Sequence, residues 1–355
     1  MRIGLTYDLR DEYLARGYDE DEVAEFESAE TIQILQQTLA ALGHEPVGIG
    51  HARNLTERLA LGDRWDLVFN IAEGLHGAGR EAQVPALLEA YEIPYTFSDP
   101  LTLALSLHKG MAKRVVRDAG VPTPDFAVVE RPTDVNQIRM PFPVFVKPVA
   151  EGSSKGVSGV SMVLNATELA AGCLMLLDRY RQPVLVEEFL PGREFTVGIA
   201  GTGPEAAALG VMEIHLREEA EGAAYTRANK TMYEGRVAYT LVEDDKRDEA
   251  IDVALAAWRA LGCRDAGRVD LRCDSRGAVN FLEVNPLAGL HPTHSDLVIL
   301  CRLKGIGYQR LIETIVSLAC DRVSGQNGSR RAARARTTGQ PAQKVANDAT
   351  RSSGS

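Results

Sequence analysis

Apolar and polar positions over the first hundred residues switch between a period near two and a period near 3.6, which predicts strands separated by helices. The predicted strands are RIGLTYDL, EPVGIG, DLVFNIA and IPYTFS, and the predicted helices cover residues 22–42 and EAQVPALLEAYEI. Strands that alternate with helices are typical of a parallel sheet with helical crossovers. We therefore expect an α/β domain over residues 1–97.

The pattern then changes to strand-rich segments, each accompanied by a single helix. A helical stretch over 98–120 precedes the strands FAVV, VFVKPV, GVSMV and PVLVEEFL, with a helix over 166–179 between the last two. Further strands are predicted at GREFTVGIAG, LGVMEI, RVDLRCD and AVNFLEVNP, with helices over 246–261 and 308–323. We expect two α+β units, over 98–187 and 188–323. The polar segment 217–235, inside the second of these units, is typical of a functional lid or a disordered loop.

Composition and charge narrow the class of protein. The chain has 355 residues, of which 45% are hydrophobic and 25% charged, as in soluble proteins with two or three domains. A net charge of −10 argues against general affinity for nucleic acid or anionic membranes. The five cysteines form no Cys-x-x-Cys pair, and no signal peptide or membrane-spanning run is evident. We expect a cytoplasmic protein with small-molecule substrates.

The last 32 residues, 324–355, differ from the rest of the chain. They contain six Lys and Arg residues against one acid, Asp348, and almost no large apolar side chains. Such a segment cannot bury enough surface to order itself, so we expect a disordered basic tail. A tether for nucleic acid is the alternative interpretation.

Oxygen-bearing side chains interrupt the apolar stretch FLEVNPLAGL. Glu283 and Asn285 are two residues apart on a predicted strand and project from the same face. A hairpin through residues 274–277 would place Asp270 opposite them. A buried carboxylate is costly unless it is paired or binds a cation, and Mg²⁺ prefers oxygen ligands. The stretch therefore indicates a magnesium site, unless the acid is simply paired with a nearby arginine.

A second pattern suits phosphate. Lys147 ends the apolar strand VFVKP and is followed by EGSSKGVSG, whose glycines and hydroxyls would let backbone N–H groups approach an anion. Glu187, Glu188 and Glu194 flank a Pro-Gly turn, where carboxylates could bind the amino or hydroxyl groups of a nucleoside. A Gly/Ser hairpin and acids beside a turn are the plainer interpretations of these segments.

Taken in order, the strand-end lysine, EGSSKG, VEEFLPGREFTV, GRVD and LEVNPLAGLHP resemble the ATP-grasp ligases, in particular the D-alanine–D-alanine ligase family. The resemblance runs from about residue 66 to 323. It implies an ATP-grasp fold, in which a parallel α/β domain precedes two α+β subdomains that sandwich ATP.

The resemblance also implies roles for individual residues. Phosphate contacts fall on Lys109, Lys147 and a loop containing Glu151, Gly152, Ser153, Ser154 and Gly156. Adenine contacts fall on Glu187, Glu188, Phe189 and Leu190, and the ribose contact on Glu194. Ligands for two Mg²⁺ ions, with Mn²⁺ as an alternative, fall on Asp270, Glu283 and Asn285. Catalytic roles fall on Arg268, Lys230, Gly289, His76, Ser153 and Ser154, and substrate contacts on Glu25 or Glu27, His76, Glu81, His294 and Ser295.

Such enzymes join a carboxylate to an amine through an acyl phosphate. The resemblance implies D-alanine–D-alanine ligase activity in peptidoglycan biosynthesis and a homodimer. Substrate-side segments depart from the family pattern: LHGAGREAQVP is shortened, Thr231 replaces a tyrosine, and His291 is new. A ligase for another amino-acid or peptide pair, and an ATP-binding protein without catalysis, are therefore the alternatives.

Overall fold

The computed structural model describes residues 1–152, 155–156, 161–216 and 237–338, with side chains described up to residue 325. The predictions made for Ser153, Ser154, Lys230, the loop 217–235 and residues 339–355 lie outside the described residues.

The N-terminal part is a parallel sheet with helices on both faces. Its strands are β1 (Arg2–Tyr7), β2 (Glu45–Gly50) and β3 (Leu67–Ile71), in the order β2-β1-β3. Its helices are α1 (Arg10–Ala15), α2 (Ala29–Ala41), α3 (Ala52–Ala60) and α4 (Gln83–Ala90). Ile3 and Phe69 pack on one face with Leu35 of α2, and Val68 packs on the other with Leu55 and Leu88. The predicted α/β architecture is confirmed.

Local details differ from the sequence prediction. The helix predicted over 22–42 begins only at Ala29, because the Ser28 side chain accepts a hydrogen bond from the Thr31 N–H and caps the helix there. Helices α1 and α3 were not predicted. The predicted strand IPYTFS is wrong: it forms one bridge, Val68 to Tyr95, and then Phe97 adopts a positive φ of 71° that turns the chain away.

The central part begins with α5 (Pro100–Leu107) and α6 (Lys109–Asp118), which meet at His108. An antiparallel sheet follows, built from β4 (Phe126–Val129), β5 (Val144–Pro148), β6 (Met162–Val163) and β7 (Val184–Glu188) in the order β4-β7-β5-β6. Helix α7 (Ala166–Tyr180) covers one face of this sheet with Leu169 and Leu176. The opposite face carries Lys147 and packs in part against Leu107 of α5.

The C-terminal part is a larger antiparallel sheet. Its strands are β8 (Glu194–Ala200), β9 (Ala207–Leu216), β10 (Val237–Leu241), β11 (Ala266–Cys273) and β12 (Val279–Asn285), in the order β10-β9-β8-β11-β12. Helix α8 (Lys246–Ala260) packs the fully buried Trp258 against Phe195 and Val269. Since side chains alternate along strands, the polar residues of β11 and β12 project from the face opposite α8.

The last two helices return to the N-terminal sheet. They are α9 (Asp296–Leu303), which was not predicted, and α10 (Tyr308–Thr338). Leu297 and Ile312 lie in the same apolar cluster as Phe69. Helix α10 continues 15 residues beyond the predicted end at Val323, so the disordered tail was wrong for 324–338, where Ala and Arg are strong helix formers. No helix among the described residues is both long enough and apolar enough to cross a bilayer.

Candidate active site

A cleft with about 820 Å³ of space, open solvent included, lies between the two antiparallel sheets. Strands β5 and β7 form one wall and strands β11 and β12 the other. The cleft is lined by the predicted catalytic residue Arg268 and by most of the residues that the sequence assigned to nucleotide and metal: Lys109, Lys147, Glu151, Glu187, Glu188, Phe189, Leu190, Glu194, Asp270 and Glu283. The fold therefore brings residues separated by more than 150 positions to one surface.

A buried carboxylate organises the cationic side of the cleft. Glu187 on β7 forms ion pairs with Lys147, whose Nζ lies 2.9 Å from Oε1, and with Lys113, whose Nζ lies 2.8 Å from Oε2. Burial alone would raise the pKa of Glu187, but the two ammonium groups outweigh burial and lower this pKa. Burial lowers the pKa of Lys113 to about 8, although Glu187 opposes that shift. The carboxylate predicted to contact adenine therefore positions two lysines.

Two lysines also converge on the predicted metal strand. The Nζ atoms of Lys109 and Lys147 each lie 3.6 Å from Glu283 Oε2. Burial would lower the pKa of Lys147, but Glu187 and Glu283 outweigh burial and raise it, so this lysine stays charged. The structure thus places two ammonium groups beside a carboxylate. A site that binds a negatively charged phosphate chain together with a cation needs both kinds of group.

The hairpin predicted from the sequence is present, with the expected register. Asp270 on β11 is paired with Glu283 on β12, and Arg268 is paired with Asn285. Asp270 accepts hydrogen bonds from Asn285 Nδ2 at 3.1 Å and from Thr196 Oγ1 at 2.8 Å. Within the described ranges, no group of three His, Cys, Asp or Glu side chains could hold a metal, so a full ligand set needs the amide of Asn285. Two carboxylates and an amide oxygen fit Mg²⁺.

Arg268 is held from two sides. Its guanidinium is paired with Asp270 on the same strand and lies 3.6 Å from Asp296 Oδ2 at the start of α9. Burial would lower the pKa of Arg268, but Asp270 and Asp296 outweigh it and raise this pKa. The side chain therefore keeps its charge and a fixed orientation inside the cleft.

The end of β7 lies where the resemblance placed adenine and ribose. The backbone N–H groups of Glu188 and Phe189 donate to the carbonyls of Asp125 at 2.8 Å and Pro143 at 3.2 Å, so neither N–H can donate to a base without breaking these bonds. Glu194 Oε2 lies 3.2 Å from Arg272, a residue that the sequence analysis did not single out.

The described ends of the predicted phosphate loop are anchored. Glu151 pairs with Lys155 at 2.8 Å, and its backbone carbonyl accepts from Lys109. The N–H of Gly152 donates to Glu25 Oε1 at 2.5 Å. Gly156 has a φ of 74°, and a Cβ on it would lie 2.5 Å from Pro148, so only glycine suits this position.

A second cavity, with about 630 Å³ of open space, adjoins the cleft and shares Lys109, Arg268 and Glu283 with it. Gly289 and Asn285 lie on one side. The side formed by the N-terminal part carries three carboxylates, those of Glu25, Glu73 and Glu81. This cavity contains the predicted substrate residues Glu25 and Glu81, together with Glu73, which the sequence analysis did not single out.

Other predicted substrate residues are not brought into either cavity. His76 is exposed and lines a separate pocket with Tyr18 and His51. Glu27 points toward the backbone N–H of Leu290, a contact that opposes the rise in its pKa caused by burial. The ring of His294 stacks on His291 at 3.4 Å. Ser295 Oγ accepts from the His291 N–H at 2.8 Å, which joins the two ends of this turn.

Sequence reasoning missed Lys113 and Arg80, which hold other residues of the site in place. Lys113 is four residues after Lys109 on α6, on the same helix face, and this spacing was the available signal. Arg80 fixes Glu25 at 2.7 Å, a contact between distant segments that no local pattern indicates.

Comparisons with known proteins agree with this geometry. Residues 115–317 match the family described as the C-terminal part of D-Ala–D-Ala ligases. An uncharacterized protein of Sinorhizobium fredii is 37% identical, over 73% of this chain and 76% of its own. The D-alanine–D-alanine ligase of Aquifex aeolicus is 33% identical, over 82% of this chain and 94% of its own. The Bacillus anthracis D-alanine–D-alanine ligase, solved with ATP, shares the fold with a TM-score of 0.67 at 21% identity, covering 92% of this chain and 99% of its own. The chain belongs to the D-alanine–D-alanine ligase family of ATP-grasp ligases.

Proposed function

We propose that the protein is an ATP-dependent ligase that joins the carboxylate of one amino acid to the amine of another, with D-alanine as the first candidate for both. One observation carries the proposal. The cleft unites Lys109, Lys147 and Arg268 with the candidate magnesium ligands, and it opens directly into the cavity lined by Glu25, Glu73 and Glu81. A nucleotide site joined to a small polar cavity suits the phosphorylation of a small carboxylic acid.

The reaction follows from these groups. A carboxylate oxygen of the first amino acid attacks the γ-phosphorus of ATP, and ADP leaves as the acyl phosphate forms. Lys109 and Lys147 neutralise the charge of the transferred phosphoryl group, and Arg268 stabilises the oxygens of the acyl phosphate. The neutral amine of the second amino acid attacks the carbonyl carbon, the amine loses a proton, and inorganic phosphate leaves. The backbone N–H of Gly289 would donate to the oxyanion of the tetrahedral intermediate.

Asp270, Glu283 and Asn285 are the residues that would hold Mg²⁺. The bound ion would neutralise phosphate oxygens during the transfer. Asp270 also pairs with Arg268, and Glu283 lies beside Lys109 and Lys147, so cationic side chains of the protein face the candidate ligands.

The experiment is ADP formation with Mg-ATP and a panel of D- and L-amino acids, tested singly and in pairs. We expect D-alanine to stimulate ADP formation and to yield the dipeptide, identified by mass spectrometry. A different stimulating pair would assign another amino-acid ligase. ATP binding without stimulation by any amino acid or short peptide would contradict the ligase assignment and favour a non-catalytic ATP-binding protein.

Family membership supports a homodimer, which light scattering of the purified protein would test.

A further inference from the structure

Another cavity lies in the N-terminal part of the fold, apart from the active site. It is the pocket lined by Tyr18, His51 and His76, and it has about 760 Å³ of space, open solvent included. Among the described residues, none that lines it also lines the nucleotide cleft or the smaller cavity. Its size is similar to theirs and lies in the range of small-molecule sites. The proposed ligase reaction does not use this cavity.

The cavity lies at the carboxyl edge of the parallel sheet. Asp8 directly follows β1, His51 follows β2 and Ala72 follows β3, and all three residues line the cavity. In open α/β sheets this edge is where ligands bind. Helix α3 also begins here, and the backbone N–H groups of Ala52 and Arg53 in its first turn donate to no described acceptor. The start of α3 therefore adds positive potential to the cavity.

Positive charge predominates in the lining. Three arginines line the cavity, Arg16, Arg53 and Arg80. Within the described part of the chain, Asp8 is the one acid in the lining. Arg80 is paired with Glu25, but the side chains of Arg16 and Arg53 form no ion pair or hydrogen bond with any described residue. A chain with a net charge of −10 thus has a cavity with excess positive charge.

Aromatic rings, rather than an acid, hold Arg16 in place. Its guanidinium carbon lies 5.0 Å from the ring centroid of Tyr13 and 5.7 Å from that of Tyr18. Tyr13 is buried, and its hydroxyl donates to Asp8 Oδ1 at 2.5 Å. Stacking uses the face of a guanidinium and leaves the N–H donors at its edge available. Arg16 is therefore oriented without being neutralised.

The acids of the segment that carries Arg16 are directed to other partners. Residues 10–22 include six acids, and none of these six lines the cavity. Glu20 pairs with Arg10. Asp21 accepts from Arg179 at 3.0 Å and from the Tyr180 hydroxyl at 2.9 Å, on helix α7. This acidic segment thus contributes an arginine, but no carboxylate, to the lining.

We propose that this cavity binds a small organic anion, whose carboxylate or phosphate group contacts Arg16 and Arg53. The rings of Tyr18 and His51 line the same cavity and provide a surface for the organic part of the ligand. A metal ion is not the better occupant, because the lining is positive and, over the ranges that the structure describes, no group of three acidic, His or Cys side chains could hold one. The inference does not depend on the ligase function.

One turn separates this cavity from the smaller cavity of the active site. Gly74 and Arg80 line the first, while their neighbours Glu73 and Glu81 line the second. A Cβ on Gly74 would lie 2.8 Å from the carbonyl oxygen of Arg80, so the two strands of this wall are in close contact. The anion would bind against the outer side of the wall, and it and the active-site ligands can be bound at the same time.

The test measures anion binding by calorimetry. The full chain is used with Mg²⁺ and a saturating non-hydrolysable ATP analogue, so that the probes cannot bind in the nucleotide cleft. The probes are benzoate and phenyl phosphate, which distinguish the two anionic groups, and neutral benzamide. We expect at least one anion to bind at least tenfold more tightly than benzamide. Arg16→Gln and Arg53→Gln should each weaken that binding at least fivefold, and the double variant should bring it to the level of benzamide.

Arg302→Gln is the matched control, because Arg302 is exposed on α9 and lines neither this cavity nor the active site. This variant should bind the anion as the parent does. Arg16→Lys keeps the charge and should retain part of the affinity, and it serves as the second variant if Arg16→Gln does not fold. Equal affinity in the parent and the double variant would mean that the anion binds elsewhere and would overturn the site. Failure of both anions to bind the parent would overturn it as well.

Discussion

At the scale of single residues, the cleft depends on charges that are buried in pairs. Glu187 is only 3% exposed and lies between Lys113 and Lys147. Removing one partner of such a group leaves an uncompensated charge, which costs more than the pair itself contributes. Glu187 thus holds Lys147 in the lining of the nucleotide cleft. Lys113 supplies the second positive charge beside Glu187.

Lys113→Met should destabilise the protein by about 3 kcal/mol, because the buried carboxylate of Glu187 then loses one of its two lysine partners. Urea denaturation measures the free energy of unfolding. The double variant Lys113→Met/Glu187→Gln should lose less than the two single losses combined, since the variants share one interaction. Full stability in Lys113→Met would show that Glu187 does not need this partner.

The raised pKa of Glu81 predicts how the stability of the protein depends on pH. Its pKa is raised by burial to about 7 in the folded chain, so between about pH 4.5 and 7 the folded state holds a proton that the unfolded state has released. Stability from this group therefore falls as pH rises through that window and is constant above it. Glu81→Gln should stabilise the substrate-free protein by about 3 kcal/mol at pH 8 and by almost nothing at pH 4. Melting curves across this range check it, and an equal effect at both values would contradict it.

At the scale of elements, the turn after β5 links backbone geometry to the phosphate site. Gly156 needs its positive φ and also packs against Pro148, which directly follows Lys147. A side chain at this position would displace the strand end that carries the lysine.

Gly156→Ala should lower kcat/KM for ATP about tenfold or more, because a small displacement of Lys147 is costly for phosphoryl transfer. Gly120→Ala is the control, since Gly120 has a similar φ of 79° but no atom within 4 Å of an added Cβ. Both variants should lose about 1 kcal/mol of stability, and only the first should lose activity. Equal activities would exclude this link.

The hairpin and its register could be predicted because strand alternation and a local turn determine which side chains face each other. Asp270 opposite Glu283 is such a case. Contacts between distant segments could not be predicted in this way. The pairing of Arg80 with Glu25 and the meeting of Glu73 with Glu81 depend on how the turn at Gly74 packs against Arg80. Helix α9 was missed although the sequence carries a signal for its start, with Ser295 at the N-cap and Asp296 in the first turn.

At the scale of the whole molecule, one buried ion pair helps to join three parts of the fold. Asp265, before β11, is fully buried and accepts from Arg322 of α10 at 2.8 and 2.9 Å. It also accepts from the N–H of Phe97 at 2.7 Å, and Arg322 donates to the carbonyl of Tyr95 at 2.8 Å. These bonds connect the N-terminal sheet, the C-terminal sheet and the last helix, and so help to set the walls of the site.

Arg322→Met should lose about 3 to 5 kcal/mol of stability, because it leaves Asp265 buried without its cation. Arg310→Met on the same helix is the control: its pair with Glu313 is exposed, so the loss should stay below about 1 kcal/mol. Chemical denaturation compares the two, and similar losses would mean that the buried pair does not hold the parts together.

The central claim is that the cleft activates a carboxylate by phosphorylating it. The most direct measurement uses the stimulating amino acid labelled with ¹⁸O in its carboxylate, followed by mass spectrometry of the inorganic phosphate released with Mg-ATP. An acyl phosphate transfers one labelled oxygen to phosphate when the amine displaces it, so we expect one ¹⁸O atom in each phosphate formed with a dipeptide. Phosphate without the label would mean that water, rather than the substrate's carboxylate, accepts the phosphoryl group, and would contradict the account.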